Sequence, residues 1–482
     1  MHIITLLLEI VFVLNIFVAI ITVFKEKRDI AATWAWLLVL LLLPVIGFIM
    51  YLFVGKKLSR DDIYDIKSQQ QMGLDQLVEL QKEQWNKKDL LPADELSNSA
   101  REMVHLFLET DQAILTKHNA VEIFTDGVAK FKQLFKDIEA AKDHIHIEYY
   151  TFYNDQIGNQ LRELLEKKTA QGVKVKVIYD SFGSRGTNHK FFQHLEELGG
   201  AAEPFFGSYR SFPNFRLNYR DHRKLVIIDG KIGYIGGFNV GDQYLSRKPK
   251  FGYWRDTHIR IEGNAVIAMQ SRFFMDWNAT VKDKKISYQE NYFPLSGPKG
   301  KVSVQIVSSG PESEVEKIKL GYIKMISDAH HEVLIQTPYL IPDDSLYEAL
   351  CLAAFSGVKV KIMIPSMPDH PFVYRATQYY AHALLENGVE IYRYQNGFLH
   401  AKTVIADGRI ASVGSANMDY RSFKLNFETN AFLYDVGFAQ KLKKTFEKDI
   451  AVSQKLTLAD FHQESRWLKF KQYFSRLLSP IL

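Results

Sequence analysis

Residues 397–408 read GFLHAKTVIADG, and residues 221–230 read DHRKLVIIDG. Each stretch sets a histidine and a lysine two residues apart at the mouth of an apolar, β-prone run, then closes on an Asp-Gly turn pair. On a strand, residues i and i+2 face the same way, so His222 shares a face with Lys224, and His400 with Lys402. The two histidines stand 178 residues apart (222 to 400), and Asn239 in GGFN and Asn417 in GSAN keep the same spacing. A matched pair of spacings predicts two similar halves.

The flanking text repeats as well. HIHIEYYTF (144–152) reads as a strand, NQLRELLEKKTAQG (159–172) as an amphipathic helix and VKVKVIYD (173–180) as a strand. HEVLIQTPYL (331–340), DSLYEALCLAAFSG (344–357) and VKVKIMIP (358–365) repeat that order. Two β-α-β units imply parallel strands in an α/β fold. The expected architecture is two α/β halves related by a pseudo-twofold axis, over residues 97–290 and 291–482, with the seam within 281–301.

The first 55 residues differ from the rest. Ile3 to Phe24 and Ala31 to Val54 are almost wholly apolar. Each run is long enough to cross a hydrocarbon core of ~30 Å, which predicts a transmembrane hairpin over 1–55. No basic stretch precedes the first run and a second follows at once, unlike a cleaved signal peptide. Trp34, Trp36 and Tyr51 sit near span ends. Lys25, Lys27 and Arg28 in the loop stand against Lys56, Lys57, Arg60 and Lys67 beyond the second span, which tips the rest of the chain towards the cytoplasm. Residues 56–96 read as a polar helical linker. The last stretch, 466–482, spaces Trp467, Phe470, Phe474, Leu477 and Leu478 as on an amphipathic helix, either interfacial or docked on its own domain.

Composition narrows the function. The net charge of +5 over 482 residues is mild and advertises no nucleic-acid groove. A single cysteine, Cys351, lies in an apolar helical run and excludes a disulfide framework or cysteine metal cluster. Lysine is not a usual metal ligand, and no tight carboxylate cluster accompanies either motif. If the halves pack face to face, the joint site holds two imidazoles and two ammoniums. Asn239 and Asn417 add donors, while Gly236, Gly237, Gly414 and Ser415 let backbone amides approach. Such a site suits a phosphodiester, whose non-bridging oxygens need cations. One histidine must be neutral to attack phosphorus and the other charged to protonate the leaving oxygen.

The pattern His-x-Lys-x4-Asp, in His222/Lys224/Asp229 and His400/Lys402/Asp407, resembles the hallmark of the phospholipase D superfamily. TWAWLLVLLLLPVIGFIMYLFVG, NYRDHRKLVIIDG, YWRDTHIRIEG, IQTPYLIPD and GFLHAKTVIADGRIASVGSANMDYRSFKLNFETN look like its bacterial cardiolipin synthase branch over essentially the whole chain. The resemblance implies two phospholipase D-like halves. It implies transfer of a phosphatidyl group from one phosphatidylglycerol to the hydroxyl of another, giving cardiolipin and glycerol, without metal or cofactor. It further implies His222 as nucleophile and His400 as acid, a choice that the near-symmetric motifs leave open. Asp256 and Glu428 resemble the carboxylates that orient the histidines, at unequal offsets of 34 (222 to 256) and 28 (400 to 428). Asp229 and Asp407 complete the catalytic motifs. An odd offset of seven turns them away from the histidines, which predicts a supporting place. A multi-pass cell-membrane enzyme acting on lipid, with no nucleic-acid partner, is the expectation. The alternatives are a membrane-tied hydrolase or nuclease of the same superfamily, and a non-catalytic scaffold. A CDP-alcohol type of synthase would need a metal-binding carboxylate array, and neither span carries one.

Overall fold

A computed structural model of the chain describes residues 98–206 and 218–479, the helix Leu74–Asn86 and parts of the segment between residues 12 and 51. Most of the first apolar run and most of the linker lie outside the described residues. The second run contributes the helix Ile30–Leu42. Among the described residues no helix is long and apolar enough to cross a membrane.

The repeated text folds into repeated elements, with repeated punctuation. The helix Gln156–Ala170 starts where the Asp155 carboxylate accepts from the Gly158 N–H at 3.2 Å, three residues ahead of the sequence expectation. The helix Asp344–Phe355 starts likewise, with Asp343 accepting from Leu346 N–H at 3.2 Å. Both chains then turn through a glycine at positive φ, Gly172 at 89° and Gly357 at 87°. The flanking strands are parallel, as expected: His144–Tyr149 beside Lys174–Tyr179, and Glu332–Gln336 beside Lys359–Pro365.

The sheet departs from a purely parallel one. The strand Lys224–Ile228 lies antiparallel to His144–Tyr149, and Thr403–Ala406 lies antiparallel to Glu332–Gln336. Each turns at its Asp-Gly pair into a further antiparallel strand, Ile232–Gly236 or Ile410–Gly414. Asp229 (φ 52°) and Gly230 (φ 63°), like Asp407 (51°) and Gly408 (60°), form a turn with both central residues left-handed. Seven strands run in the same order in each half. The halves join where Thr116–Phe124 pairs antiparallel with Val302–Ser309, within one 16-stranded sheet. Two short pairings also cross between halves, Arg220–Asp221 with Asn426–Phe427 and Phe398–Leu399 with Trp254–Arg255.

The cores cross between halves too. One cluster joins Ile227, Ile259 and Phe273 to Ile306, Ile405, Phe427 and Leu442, and draws in helices Ala265–Thr280 and Val436–Ile450. The helix Asn98–Asp111 opens the expected first half, 97–290, but packs into the second. Phe107 packs on Phe432 at a centroid distance of 4.4 Å, the rings tilted by 47°, and sits against Gly321, where a Cβ would lie 2.4 Å from its ring. The C-terminal helix Arg466–Leu477 buries Gln472 and Ser475 and rests Tyr473 against Tyr379. Its Trp467, Phe470, Phe474 and Leu477 point to solvent.

Phe107→Ala is therefore expected to destabilise the second half by about 3–5 kcal/mol, the range for deleting a buried aromatic ring. Val128→Ala, at an exposed position of the helix Gly127–Ala140, is expected to change stability by less than about 0.5 kcal/mol. The thermal inactivation midpoints of the two variants in detergent check this.

Candidate active site

Both histidines enter their strands through a backbone bond to the opposite half. The His222 N–H donates to Phe427 O at 2.9 Å, and the His400 N–H to Arg255 O at 2.7 Å. Phe427 precedes Glu428 and Arg255 precedes Asp256, so each bond delivers the imidazole to a carboxylate of the other half. His222 Nδ1 lies 2.9 Å from Glu428, and His400 Nδ1 lies 2.6 Å from Asp256 Oδ2. The two carboxylates expected to orient the histidines do contact them, in crossed pairs. The unequal offsets within each half reflect loop length alone. Gly236 pairs with His258 and Gly414 with Asn430, which puts Asp256 and Glu428 at equivalent places, each two residues before its paired residue.

An ionised carboxylate only accepts, so each Nδ1 carries the proton and each Nε2 keeps its lone pair. Both histidines are buried, no more than 8% exposed, and among the described residues neither Nε2 has a hydrogen-bond partner in the protein. Burial drives the His222 imidazole down to about 4, with Glu428 opposing and the nearby Lys224 and Lys402 charges adding to the fall. Burial also lowers His400 and Lys402 adds to that, while Asp256 and Asp369 oppose it. Burial works against the charge of Glu428, but His222, Lys224 and the Ser415 hydroxyl outweigh it and hold the carboxyl at about 2.

Each lysine is tied to its own motif. Lys224 Nζ donates to the His222 carbonyl at 2.6 Å, and Lys402 Nζ to the His400 carbonyl. Burial, opposed chiefly by the site carboxylates, brings Lys224 to about 7 and Lys402 to about 8. Lys402 lowers Lys224 directly, so the two ammoniums share one field.

Asp229 and Asp407 sit apart from this chemistry. The Asp229 carboxylate accepts the backbone N–H groups of Lys142, Asp143 and His144 at 2.9, 2.8 and 3.0 Å. Asp407 accepts those of His330, His331 and Glu332 at 2.8, 2.8 and 2.9 Å. Each clamps the start of the neighbouring strand, on the order of 20 Å along the chain from its histidine at ~3.3 Å per residue. The aspartates' geometry is thus that of an architectural clamp.

The asparagines differ from one another. Asn239 is fully engaged, accepting from the Thr151 N–H and donating to the Tyr244 hydroxyl, both at 3.1 Å. Asn417 donates to Asp419 at 3.2 Å, and its buried Oδ1 has no partner among the described residues. Sequence reading did not find the donors around Glu428. Ser415 Oγ lies 2.5 Å away, Ser422 Oγ 2.9 Å and Asn426 Nδ2 3.4 Å. Nor did it find Tyr150, whose ring stands edge-on to His222 at 5.0 Å. Ser415, Ser422 and Asn426 come from the same half as Glu428, and Tyr150 from the same half as His222; the strand Ile410–Gly414 and the short helix Tyr420–Lys424 deliver the two serines.

Residues 134–262 and 322–450 each match a family model described as cardiolipin synthase, PLD-like domain, and residues 13–56 match one described as phospholipase D-nuclease N-terminal. The chain is 54% identical to a protein named cardiolipin synthase from Listeria innocua serovar 6a, over 100% of both chains. It is 51% identical to the major cardiolipin synthase of Bacillus subtilis (strain 168), again over 100% of both. Its fold is similar to the crystal structure of phosphatidylserine synthase from Haemophilus influenzae Rd KW20. That match has a TM-score of 0.61 and 15% identity, over 79% of this chain and 100% of the other. Two matched repeats joined in one sheet, with relatives of more than half identity along the whole length, establish that the chain belongs to the cardiolipin synthase family of phospholipase D-like proteins.

Proposed function

We propose that this enzyme is a cardiolipin synthase that moves a phosphatidyl group from one phosphatidylglycerol to the hydroxyl of a second, releasing glycerol. The observation that carries the reading is a buried pair of imidazoles with free Nε2 atoms, flanked by two ammoniums. The Nε2 lone pair of His222 attacks phosphorus, and the bond from phosphorus to the glycerol oxygen breaks. His400, protonated on Nε2, gives that proton to the departing glycerol. His400 then takes the proton of the incoming lipid hydroxyl, whose oxygen attacks phosphorus as the bond to His222 breaks. Lys224 and Lys402 neutralise the non-bridging oxygens, whose charge in turn favours the ammonium forms. Asn417 Oδ1, buried and without a partner among the described residues, would accept from a headgroup hydroxyl.

An asymmetry between the two carboxylates supports a division of roles. Glu428 divides its charge among Ser415, Ser422, Asn426 and His222, whereas among the described residues Asp256 accepts only from His400 and the Thr257 N–H at 2.7 Å. Position 415 is a serine where the first half has Gly237, against which a Cβ would lie 1.9 Å from Asp256 Oδ1. A less committed carboxylate supports an imidazolium better, and Asp369 adds its charge on the same side. His222 is therefore the neutral nucleophile and His400 the acid.

The lipid substrate suits the rest of the chain. Residues 1–55 would tether the enzyme to the bilayer as a two-span hairpin, with the catalytic body on the cytoplasmic side. The outward aromatic stripe of the C-terminal helix, with Arg466, Lys471 and Arg476 exposed beside it, fits an anionic lipid surface.

His222→Ala and His400→Ala are each expected to lower turnover by at least about a thousandfold. With a phosphatidyl donor carrying a leaving group that needs no protonation, His400→Ala should release a stoichiometric burst and trap a phosphatidyl adduct on His222, seen by peptide mass spectrometry. An adduct on the His400 peptide would reverse the roles. The nucleophile works only unprotonated, so kcat/KM should fall on the acid side as pH drops through the His222 pKa, near 4 rather than the ordinary value. Ser415→Ala strengthens the pull of Glu428 on an imidazolium and should move that acid limb up by on the order of one pH unit. A kcat/KM profile with an unmoved limb would contradict the assignment.

A further inference from the structure

A transferase that joins two phospholipids brings two phosphodiesters to one centre. One reacts between the lysines. The other belongs to the acceptor and must be held intact, a requirement that a hydrolase does not have. Beside the reacting centre lies a second basic pair, again drawn from both halves. Arg220 stands two residues before His222, on the short strand that pairs with Asn426–Phe427. Arg421 lies in the short helix Tyr420–Lys424 that leads into that same region. Both are half-buried.

The two guanidiniums are close enough to repel. Burial lowers Arg421 from its ordinary value, Asp419 opposes the fall and the charge of Arg220 adds to it. The fork of Arg421 donates to a neutral partner, with Nη1 3.3 Å from Asn218 Oδ1 and Nη2 2.9 Å from Asn218 O. Among the described residues no carboxylate lies within 4.0 Å of it. Arg220 spreads over the Phe182 ring at 4.5 Å and donates to Tyr219 O at 3.1 Å. A partly buried guanidinium beside a like charge, with no carboxylate in contact, is unfavourable in a protein interior. A phosphodiester is the anion that its planar fork fits, through two parallel hydrogen bonds. Tyr150 joins this place to the chemistry. Its ring packs on His222, and both arginines act on its phenol, as Asp180 does.

We propose that Arg220 and Arg421 bind the phosphodiester of the acceptor lipid. The subsite rests on the reading of the enzyme as a lipid-to-lipid transferase. With the acceptor phosphate held there, its free hydroxyl reaches the phosphatidyl group on His222 in preference to water. The arginine pair thereby sets which acceptor wins.

The test measures two products from phosphatidylglycerol in detergent micelles: cardiolipin, from transfer to lipid, and phosphatidic acid, from transfer to water. In Arg421→Gln and Arg220→Gln the ratio of cardiolipin to phosphatidic acid should fall by about tenfold or more, and part of the loss should return at higher phosphatidylglycerol. Arg421→Lys keeps the charge without the two-pronged donation and should lie between. Residues that only support the fold would lower both products together. A ratio within about twofold of wild type in the Gln variants overturns the subsite. So does an inactive Arg421→Gln paired with an Arg421→Lys whose ratio is that of wild type. If the wild-type enzyme gives phosphatidic acid alone, the transferase reading itself fails, and the two failures are told apart.

Discussion

Each histidine of the centre is held by a carboxylate that the other half supplies. His222 needs Glu428, 206 residues away, and His400 needs Asp256, 144 residues away. Much of the architecture follows from that exchange. The backbone bonds from His222 to Phe427 and from His400 to Arg255 seat the rings, and the two short cross-half strand pairs frame those bonds. Neither His222 nor His400 takes its carboxylate from its own half, so a single half would hold its motif imidazole free in tautomer and orientation. The shared core across Ile259, Ile306 and Phe427 and the strand pairing at the seam are what make one site of two motifs.

The sequence made the repeat legible because the repeat is local. His-x-Lys, the Asp-Gly turn and the Asp-capped, Gly-ended helices are each decided within a few residues, and each appears twice. The β-prone run that follows His400 and Lys402 forms the strand Thr403–Ala406. The supporting place expected for Asp229 and Asp407 has a physical form: three backbone N–H groups per carboxylate, which also settle an aspartate in a left-handed turn. Long-range pairing was not legible. The antiparallel insertion of Lys224–Ile228, the crossing of Asp256 and Glu428, and the docking of Asn98–Asp111 on the second half depend on contacts one hundred residues or more apart, except for the first. Offsets counted within one half made Asp256 look irregular when the register makes it the equivalent of Glu428.

Near symmetry carries a specific problem, because two equal histidines cannot divide two roles. One residue position does much of the separation. Gly237 leaves Asp256 to His400, while Ser415 at the equivalent place takes part of Glu428 away from His222. Under the proposed roles, a hydroxyl in place of a hydrogen would bias two chemically identical rings towards opposite protonation states. The glycine cannot simply be exchanged, since its Cβ would fall on the Asp256 carboxylate.

Charge balance explains why the second proton arrives with the substrate. With both imidazoles neutral, the two ammoniums offset Glu428 and Asp256, and the buried centre is close to neutral. A proton on His400 leaves one positive charge in excess, which burial and Lys402 both oppose. A phosphodiester monoanion between the lysines cancels that charge. It pulls the pKa of His400 upward at the moment an acid is needed, while in the proposed division of roles His222 is occupied as the attacking group. When glycerol leaves with the proton, His400 returns to its neutral form beside a bound phosphatidyl group, which is the form that must accept the proton of the next hydroxyl. The centre therefore switches from acid to base through the charge of what it binds, with no movement of the backbone required.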